Sequence, residues 1–312
     1  MSNQMIKKIQ PSKKSRFHSR QSKGDIAFEI IVVVLLALLT LTIIYPLYFV
    51  VIASFSDAKA VVGGQVIVLP VNVTLENYKE CFKNGDLMQG YGNSFQLLIY
   101  GTAVYLFLTI LCAYPLSRRD LWGRDGIMVY CTIPMFFGGG LIPTYLLVTK
   151  TLGLSNSWWA VILVGGVSTY NMIIMRTFFM SSIPFELQEA AEIDGCSPLR
   201  TLISIILPLS IPVICVIGLY YGVGIWNSYF TALIYLSDKN KWPLQLFLRQ
   251  ILVNADLSVV DGGDASDMAR RAMRAETIKY AICVLASIPM LVIYPFIQRY
   301  FVKGVMIGSV KG

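Results

Sequence analysis

Long apolar runs alternate with shorter polar segments along the chain. Six of these runs carry no Asp, Glu, Lys or Arg, and each approaches or exceeds the ~20 residues that a helix needs to cross a bilayer core. A soluble protein with six such runs would need far more polar chain to cover them. The pattern therefore predicts six transmembrane helices, with cores at 27–52, 94–116, 127–148, 158–176, 211–236 and 278–297.

The composition agrees with a membrane protein. Hydrophobic residues occupy 55% of the 312 positions and charged residues 14%, against roughly 25% charged residues in soluble domains. The mean hydropathy is +0.63. The predicted fold class is therefore all-α integral membrane.

The distribution of Lys and Arg predicts the orientation of the spans. Basic residues are concentrated in the N-terminal segment, in the loop after the second span and at the C-terminus, whereas the loop between the third and fourth spans carries only Lys150. The loop at 237–279 is also basic, but long loops have little influence on topology. Both termini are predicted to be cytoplasmic, with a basic tail at 1–25, a six-span domain at 26–299 and a C-terminal tail at 300–312.

The sequence disfavours several kinds of chemistry. The net charge of +8 is explained by topology and by contact of the basic tail with anionic membrane lipid, without a nucleic acid. No G-x-x-x-x-G-K-S/T phosphate loop is present, so any use of ATP falls to a partner. The lone His18 and the spacing of the six cysteines predict neither a metal site nor a disulfide framework. No catalytic residue and no bound cofactor are predicted.

A motif lies in the polar segment at 181–208, between the fourth and fifth spans. Glu189-Ala190-Ala191 is followed by Gly195 and then by Ile205-x-Leu207-Pro208. A proline suits the first turn of a helix, and glycine tolerates the left-handed conformation that ends one. A short helix is therefore predicted at 184–194, with its stop at Gly195.

A second helix is predicted to begin directly after that stop. Ser197 is placed as its N-cap and Pro198 as its first residue. The apolar residues that follow predict that this helix continues through Leu207 into the fifth span.

The first of these helices has side chains that suit docking onto a partner. Ala190 and Ala191 keep one face small enough to enter a cleft. An acidic rim that can pair with basic groups is formed by Glu186, Glu189, Glu192 and Asp194. The alternative is an ordinary amphipathic loop between two spans.

The motif resembles in full the signature of the permease subunits of binding-protein-dependent ABC importers. The ending at 300–312 is similar to that of the second membrane subunit of carbohydrate importers of the maltose-permease type. The segments 135–145 and 171–176 resemble the branch of these permeases that is associated with complex oligosaccharides. The resemblance implies a type I ABC importer permease fold in a bacterial cell membrane.

The resemblance also implies partners and roles. The expected partners are a second, homologous permease subunit, two ATPase subunits that carry ATP and Mg, an extracytoplasmic solute-binding protein, an oligosaccharide substrate and membrane lipid. ATP-driven closure of the ATPases would move the helix at 184–194 and switch the spans between outward-facing and inward-facing cavities. The residues expected to couple to the ATPases are Glu186, Glu189, Ala190, Ala191, Asp194, Gly195, Leu207 and Pro208.

Aromatic and amide side chains within the spans are the candidates for the substrate path, because sugars bind to aromatic faces and to amide and hydroxyl groups. The candidates are Tyr170, Asn171, Trp226, Asn227 and Tyr229. Each of them can instead serve contacts between helices. The glycines at 138–140 predict an interruption of the third span, which is either a gate or a close helix crossing.

Other segments have expected contacts of their own. The loops at 55–90 and 237–276 are long enough to touch a binding protein, and an amphipathic helix is predicted at 268–276. The C-terminal tail either contacts the ATPases or is a frayed helix end. The alternative functions are a polytopic membrane enzyme or an export subunit acting on lipid-linked sugars.

Overall fold

The structure is a computed structural model that describes residues 22–257, 277–295 and 298. All regular structure in these residues is helical. The chain divides into two units, residues 1–49 and 50–312. The first unit contributes most of helix α1 (Lys23–Ser54), in which the hydroxyl groups of Thr40 and Thr42 donate to carbonyl groups one turn earlier.

Helices of very different lengths form the second unit. In chain order they are α2 (Ala58–Val62), α3 (Glu76–Lys83), α4 (Gly85–Ser117), α5 (Arg124–Phe136), α6 (Leu141–Leu146), α7 (Trp158–Gly165), α8 (Thr169–Ser182), α9 (Phe185–Ile193), α10 (Pro198–Thr201), α11 (Leu207–Leu209), α12 (Ile211–Trp226), α13 (Phe230–Tyr235), α14 (Leu244–Leu257) and α15 (Thr277–Pro295). Two π-helical turns, Leu147–Thr151 and Leu202–Ile206, follow α6 and α10, and a 3-10 turn at Lys239–Lys241 precedes α14.

The six predicted spans correspond to three continuous helices and three bent pairs. The helices α1, α4 and α15 are each long and apolar enough to cross a membrane. The helix pairs meet the same criterion together, but each is bent at a short break: by 110° between α5 and α6, by 58° between α7 and α8, and by 83° between α11 and α12. With each bent pair counted as one span, the described residues contain six candidate spans, and three of them are broken helices.

The glycine-rich interruption of the third span is confirmed. Helix α5 ends at Phe136 and α6 begins at Leu141. Gly140 between them has φ +82°, a conformation that L-residues with a side chain rarely adopt.

The continuous helices predicted for the fourth and fifth spans are wrong. The fourth span breaks where Gly166 has φ +42°. The fifth ends its main helix at Trp226, and the short helix α13 follows after a break of three residues. The helix predicted to run from Ser197 into the fifth span instead bends at Ser210, which lies between Pro208 and Pro212, two residues without an N–H for the helical bond.

The main core lies between α4, α8 and α12. Its buried side chains include Tyr105, Phe179 and Ile217. A buried hydrogen bond of 2.7 Å joins the hydroxyl groups of Thr109 on α4 and Tyr221 on α12. Such bonds between helices are typical of membrane proteins, in which small and polar residues make the contacts.

The N-terminal end of α4 is fixed by the loop that precedes α14. The Asn93 side chain donates to the carbonyl groups of Asn240 and Trp242, both at 2.8 Å. The indole N–H of Trp158, at the start of α7, donates to the Lys241 carbonyl at 3.0 Å. Helices α4 and α7 are therefore both hydrogen-bonded to this loop near their N-terminal ends. The predicted helix at 268–276, the C-terminal tail at 300–312 and residues 1–21 of the basic tail predicted at 1–25 lie outside the described residues.

Candidate functional site

Helix α9 is the first predicted helix of the polar segment, and it ends in a Schellman motif. Gly195 has φ +76°. The Cys196 N–H donates to the Ala191 carbonyl at 2.9 Å, and the Gly195 N–H donates to the Glu192 carbonyl at 3.0 Å. These two bonds satisfy carbonyl groups that the helix end would otherwise leave unpaired. The predicted helix stop at Gly195 is confirmed.

The start of the second predicted helix is also confirmed. Ser197 Oγ accepts a bond from the Arg200 N–H at 3.4 Å, and Pro198 is the first helical residue. Pro208 has no N–H for the usual helical bond, and a π-helical turn lies immediately before Leu207. Leu207 packs against the main core, whereas Pro208 is exposed.

The two alanines of the motif lie on different faces of α9, so the predicted common small face is wrong. Ala191 is 4% exposed and lies with Gln188 on an inner face that packs against this chain. Ala190 is exposed. The spacing of the motif explains the difference, because adjacent helical residues are separated by about 100° around the axis.

The exposed side of α9 is a mixed acidic and apolar surface, which we call the outer stripe. It consists of Glu186, Glu189, Ala190 and Ile193, which follow the i, i+3, i+4, i+7 spacing of one helix face. Ile193 is 86% exposed. Asp194 is exposed beside it. Such a stripe can dock into an apolar cleft with basic groups at its margin.

Glu192 does not belong to a free acidic rim, contrary to the prediction. It forms an ion pair with Arg118, the residue that follows α4. Arg118 also binds Asp120 through two charge-assisted hydrogen bonds, and these raise the pKa of Arg118 and lower that of Asp120. The neighbouring Arg119 lies over the ring of Phe185, the first residue of α9, at 5.3 Å from its centroid.

In the sequence, Arg118 and Arg119 indicate only the topology of the spans. Their contacts with α9 span 74 positions of sequence for Arg118 and 66 for Arg119, a separation at which no periodicity relates two segments. The one local signal is Asp120, placed to pair with an arginine two residues earlier.

Substitution of the two alanines by leucine should separate their roles. We expect Ala191→Leu to lower the free energy of unfolding by about 1–3 kcal/mol, because the larger side chain overpacks a buried position. Ala190→Leu should leave the unfolding temperature of the purified chain unchanged and weaken only the docking of a partner. Thermal unfolding in detergent measures the difference, and equal shifts for the two variants would refute the assignment of faces.

Of the substrate-path candidates, Asn171 lies at a cavity beside the break in the fourth span. The cavity has a volume of about 320 Å³, and its lining includes Tyr105, Ser168 and Tyr221. The Tyr105 hydroxyl donates to the Ile162 carbonyl at 2.6 Å, and the Tyr221 hydroxyl accepts from the Ser168 N–H at 3.1 Å. Asn171 itself is 6% exposed. This cavity offers hydroxyl, amide and aromatic groups.

The other four candidates are not brought together at that cavity. Trp226 is buried, and its indole N–H donates to the Ala286 carbonyl at 3.0 Å, a contact between helices. The Asn227 amide bonds to Val223 of its own helix, and Tyr170 is 57% exposed. Tyr229 lines a second cavity of about 380 Å³, together with Gln245, Arg249 and Lys279.

No cluster of His, Cys, Asp and Glu with the makeup of a metal site occurs within the described ranges. The six cysteines form no disulfide bonds with one another. The described residues thus offer the exposed outer stripe of α9 and two cavities with polar groups in their linings.

Comparison with known proteins identifies similar sequences over most of the chain. Residues 105–307 match the family model of the binding-protein-dependent transport system inner membrane component. The polygalacturonan/rhamnogalacturonan transport system permease protein YtcP of Bacillus subtilis (strain 168) is 43% identical over 91% of this chain and 98% of its own length. Protein LplC of the same organism is 42% identical over 86% of this chain and 90% of its own length.

A solved structure shares the fold. It is the crystal structure of a bacterial ABC transporter involved in the import of the acidic polysaccharide alginate, one chain of which superposes with a TM-score of 0.81. The identity is 29%, over 90% of this chain and 99% of that chain.

Proposed function

Since the chain belongs to the family of binding-protein-dependent transport system inner membrane components, we propose that its cargo is an oligosaccharide built from carboxylate-bearing sugars. The chain is a permease subunit of an ABC importer and lies in the cell membrane as a multi-pass protein. The observation that carries the proposal is the 43% identity, over nearly the full length of both chains, to a permease named for polygalacturonan and rhamnogalacturonan.

The outer stripe of α9 is the surface that docks an ATPase partner. Its glutamates meet basic groups at the margin of the ATPase cleft, and Ala190 and Ile193 enter the cleft. Gly195 ends the helix, while Leu207 and Pro208 connect it to the bent fifth span. ATP and Mg bind to the partner, since no phosphate loop occurs in this chain.

The complete importer contains two ATPase subunits, a second, homologous permease subunit and an extracytoplasmic binding protein. The family is described as binding-protein-dependent, which supports the last of these partners. In this arrangement α9 and both termini face the cytoplasm, and the loop before α14 faces outward. The basic tail lies against anionic lipid of the inner leaflet.

The two cavities are the parts of this chain that line the substrate path. Asn171 and the tyrosine hydroxyl groups of the first cavity suit the hydroxyl groups of a sugar. The second cavity combines the Tyr229 ring, an amide and two basic side chains, a set that suits a carboxylated sugar. Tyr170 is next to Asn171 of the first cavity in sequence, and Asn227 is close in sequence to Tyr229 of the second. Trp226 positions α12 against α15.

Reconstitution of the importer in proteoliposomes tests this function. We expect ATP hydrolysis to rise, and labelled sugar to accumulate on the trans side, when the cognate binding protein is loaded with oligogalacturonide. Neutral galacto-oligosaccharides are the matched control. Equal stimulation by the neutral sugars would refute the carboxylate preference, and net movement in the opposite direction would refute import.

A further inference from the structure

Two consecutive arginines contact the two ends of α9. Arg118 follows the last residue of α4, and its side chain is 11% exposed. One of its terminal nitrogens donates to Glu192, near the C-terminal end of α9. Arg119 places its guanidinium 5.3 Å from the ring centroid of Phe185, at the N-terminal end of α9. Phe185 and Glu192 are about 10 Å apart along the helix axis, at 1.5 Å per residue.

Residues at and just after the end of α4 orient the Arg118 side chain. Its Nε and Nη2 atoms bind the two carboxylate oxygens of Asp120 at 2.8 and 2.9 Å. The Tyr114 hydroxyl lies 3.5 Å from Nη1. These contacts orient the Arg118 guanidinium independently of Glu192. A buried and oriented arginine differs from an exposed ion pair, which typically contributes little to stability.

The end of α4 is in turn joined to α8. Arg176 Nε on α8 donates to the Leu116 carbonyl at 2.8 Å, and the Tyr114 ring packs edge-on against Phe179 at 6.5 Å between centroids. The inner face of α9 is buried through Gln188 and Ala191. The end of α4 therefore connects α9 with the helices that form the main core.

We propose that Arg118 and Arg119 form a two-point clamp that makes α9 and the cytoplasmic end of α4 move as one body. This inference rests on the proposed function, in which an ATPase displaces α9. The clamp transmits that displacement to α4, and α4 carries it to α8 and α12 through the Arg176 bond and the Thr109–Tyr221 bond. The two arginines are positioning residues, and they contact neither the sugar nor ATP.

The test is the ratio of sugar imported to ATP hydrolysed in the reconstituted importer. Glu192→Ala releases one end of α9 and leaves Arg118 paired with Asp120, so no charge is buried alone. Phe185→Leu releases the other end and keeps an apolar side chain. We expect the double variant to hydrolyse ATP at near the unaltered rate, while the transport ratio falls about fivefold or more, the usual size of coupling between sites.

Matched controls separate the clamp from a purely structural role. Arg124→Gln breaks the exposed ion pair with Asp125 and should leave the ratio unchanged. An unchanged ratio of sugar imported to ATP hydrolysed in the double variant would refute the clamp. This includes the case in which transport and ATP hydrolysis fall in equal proportion after normalisation to assembled complex. Failure of the unaltered complex to import any sugar would instead refute the proposed function.

Discussion

The substitution Gly195→Val is expected to reduce sugar uptake by about 5- to 30-fold. Gly195 holds φ +76°, where a Cβ atom costs roughly 1–2 kcal/mol and a β-branched side chain fits worst. A Cβ atom there would meet no other atom within 4 Å, so the Cβ atom itself causes no clash and its cost comes from the backbone conformation. The Schellman bonds would be lost and α9 would change its direction relative to the second helix.

Two controls test the origin of this effect. Gly195→Asn should retain most of the uptake, because asparagine adopts the left-handed conformation more readily than other residues with a side chain. Ala190→Ser changes the outer stripe by one atom and should have a smaller effect than Gly195→Val. Normal stimulation of ATP hydrolysis by loaded binding protein in a Gly195→Val complex would count against a coupling role for this helix end.

The substitution Gly165→Ala is expected to destabilise the protein at the break in the fourth span. An added Cβ atom would overlap the Tyr105 hydroxyl group and lie 2.9 Å from the Tyr105 Cζ atom. Tyr105 is 5% exposed and donates to the Ile162 carbonyl, so it cannot move without leaving that bond. Overpacking and the lost hydrogen bond should together lower the free energy of unfolding by about 2–5 kcal/mol.

Thermal unfolding and uptake measure this effect in parallel. Gly139→Ala is the matched control, since a Cβ atom at Gly139 would meet nothing within 4 Å. The double variant Gly165→Ala with Tyr105→Phe removes the overlapping oxygen and should regain part of the stability. An unfolding temperature for Gly165→Ala equal to that of Gly139→Ala would contradict the close contact between α4 and α7.

The number and approximate position of the spans could be predicted because each span is an uninterrupted apolar run. The breaks were predictable only where glycines are clustered. Three consecutive glycines indicated the break before α6, whereas the break after α7 depends on Gly166 adopting a positive φ, which two glycines in an apolar run do not require. The 83° bend at Ser210 depends on tertiary packing around two prolines, each of which an individual helix can tolerate.

The ends of α9 could be predicted because the cap residues are local signals. The faces of α9 could not, since both of its alanines are small and only packing against the rest of the chain shows that Ala191 is buried. The pairing of Glu192 could not be predicted for the same reason. Its partner Arg118 is distant in sequence, and a single sequence holds no information on such pairs.

The exposure of Ile193 affects how long an unassembled copy of this chain survives. A large apolar side chain that is 86% exposed keeps apolar area in contact with water, and a docked partner that covers this area favours the assembled state. Chaperones and proteases act on exposed apolar residues of this kind. In the importer proposed above, the residue that completes the outer stripe would also mark a copy that lacks its ATPase, and we expect the cellular amount of this subunit to follow the supply of that partner.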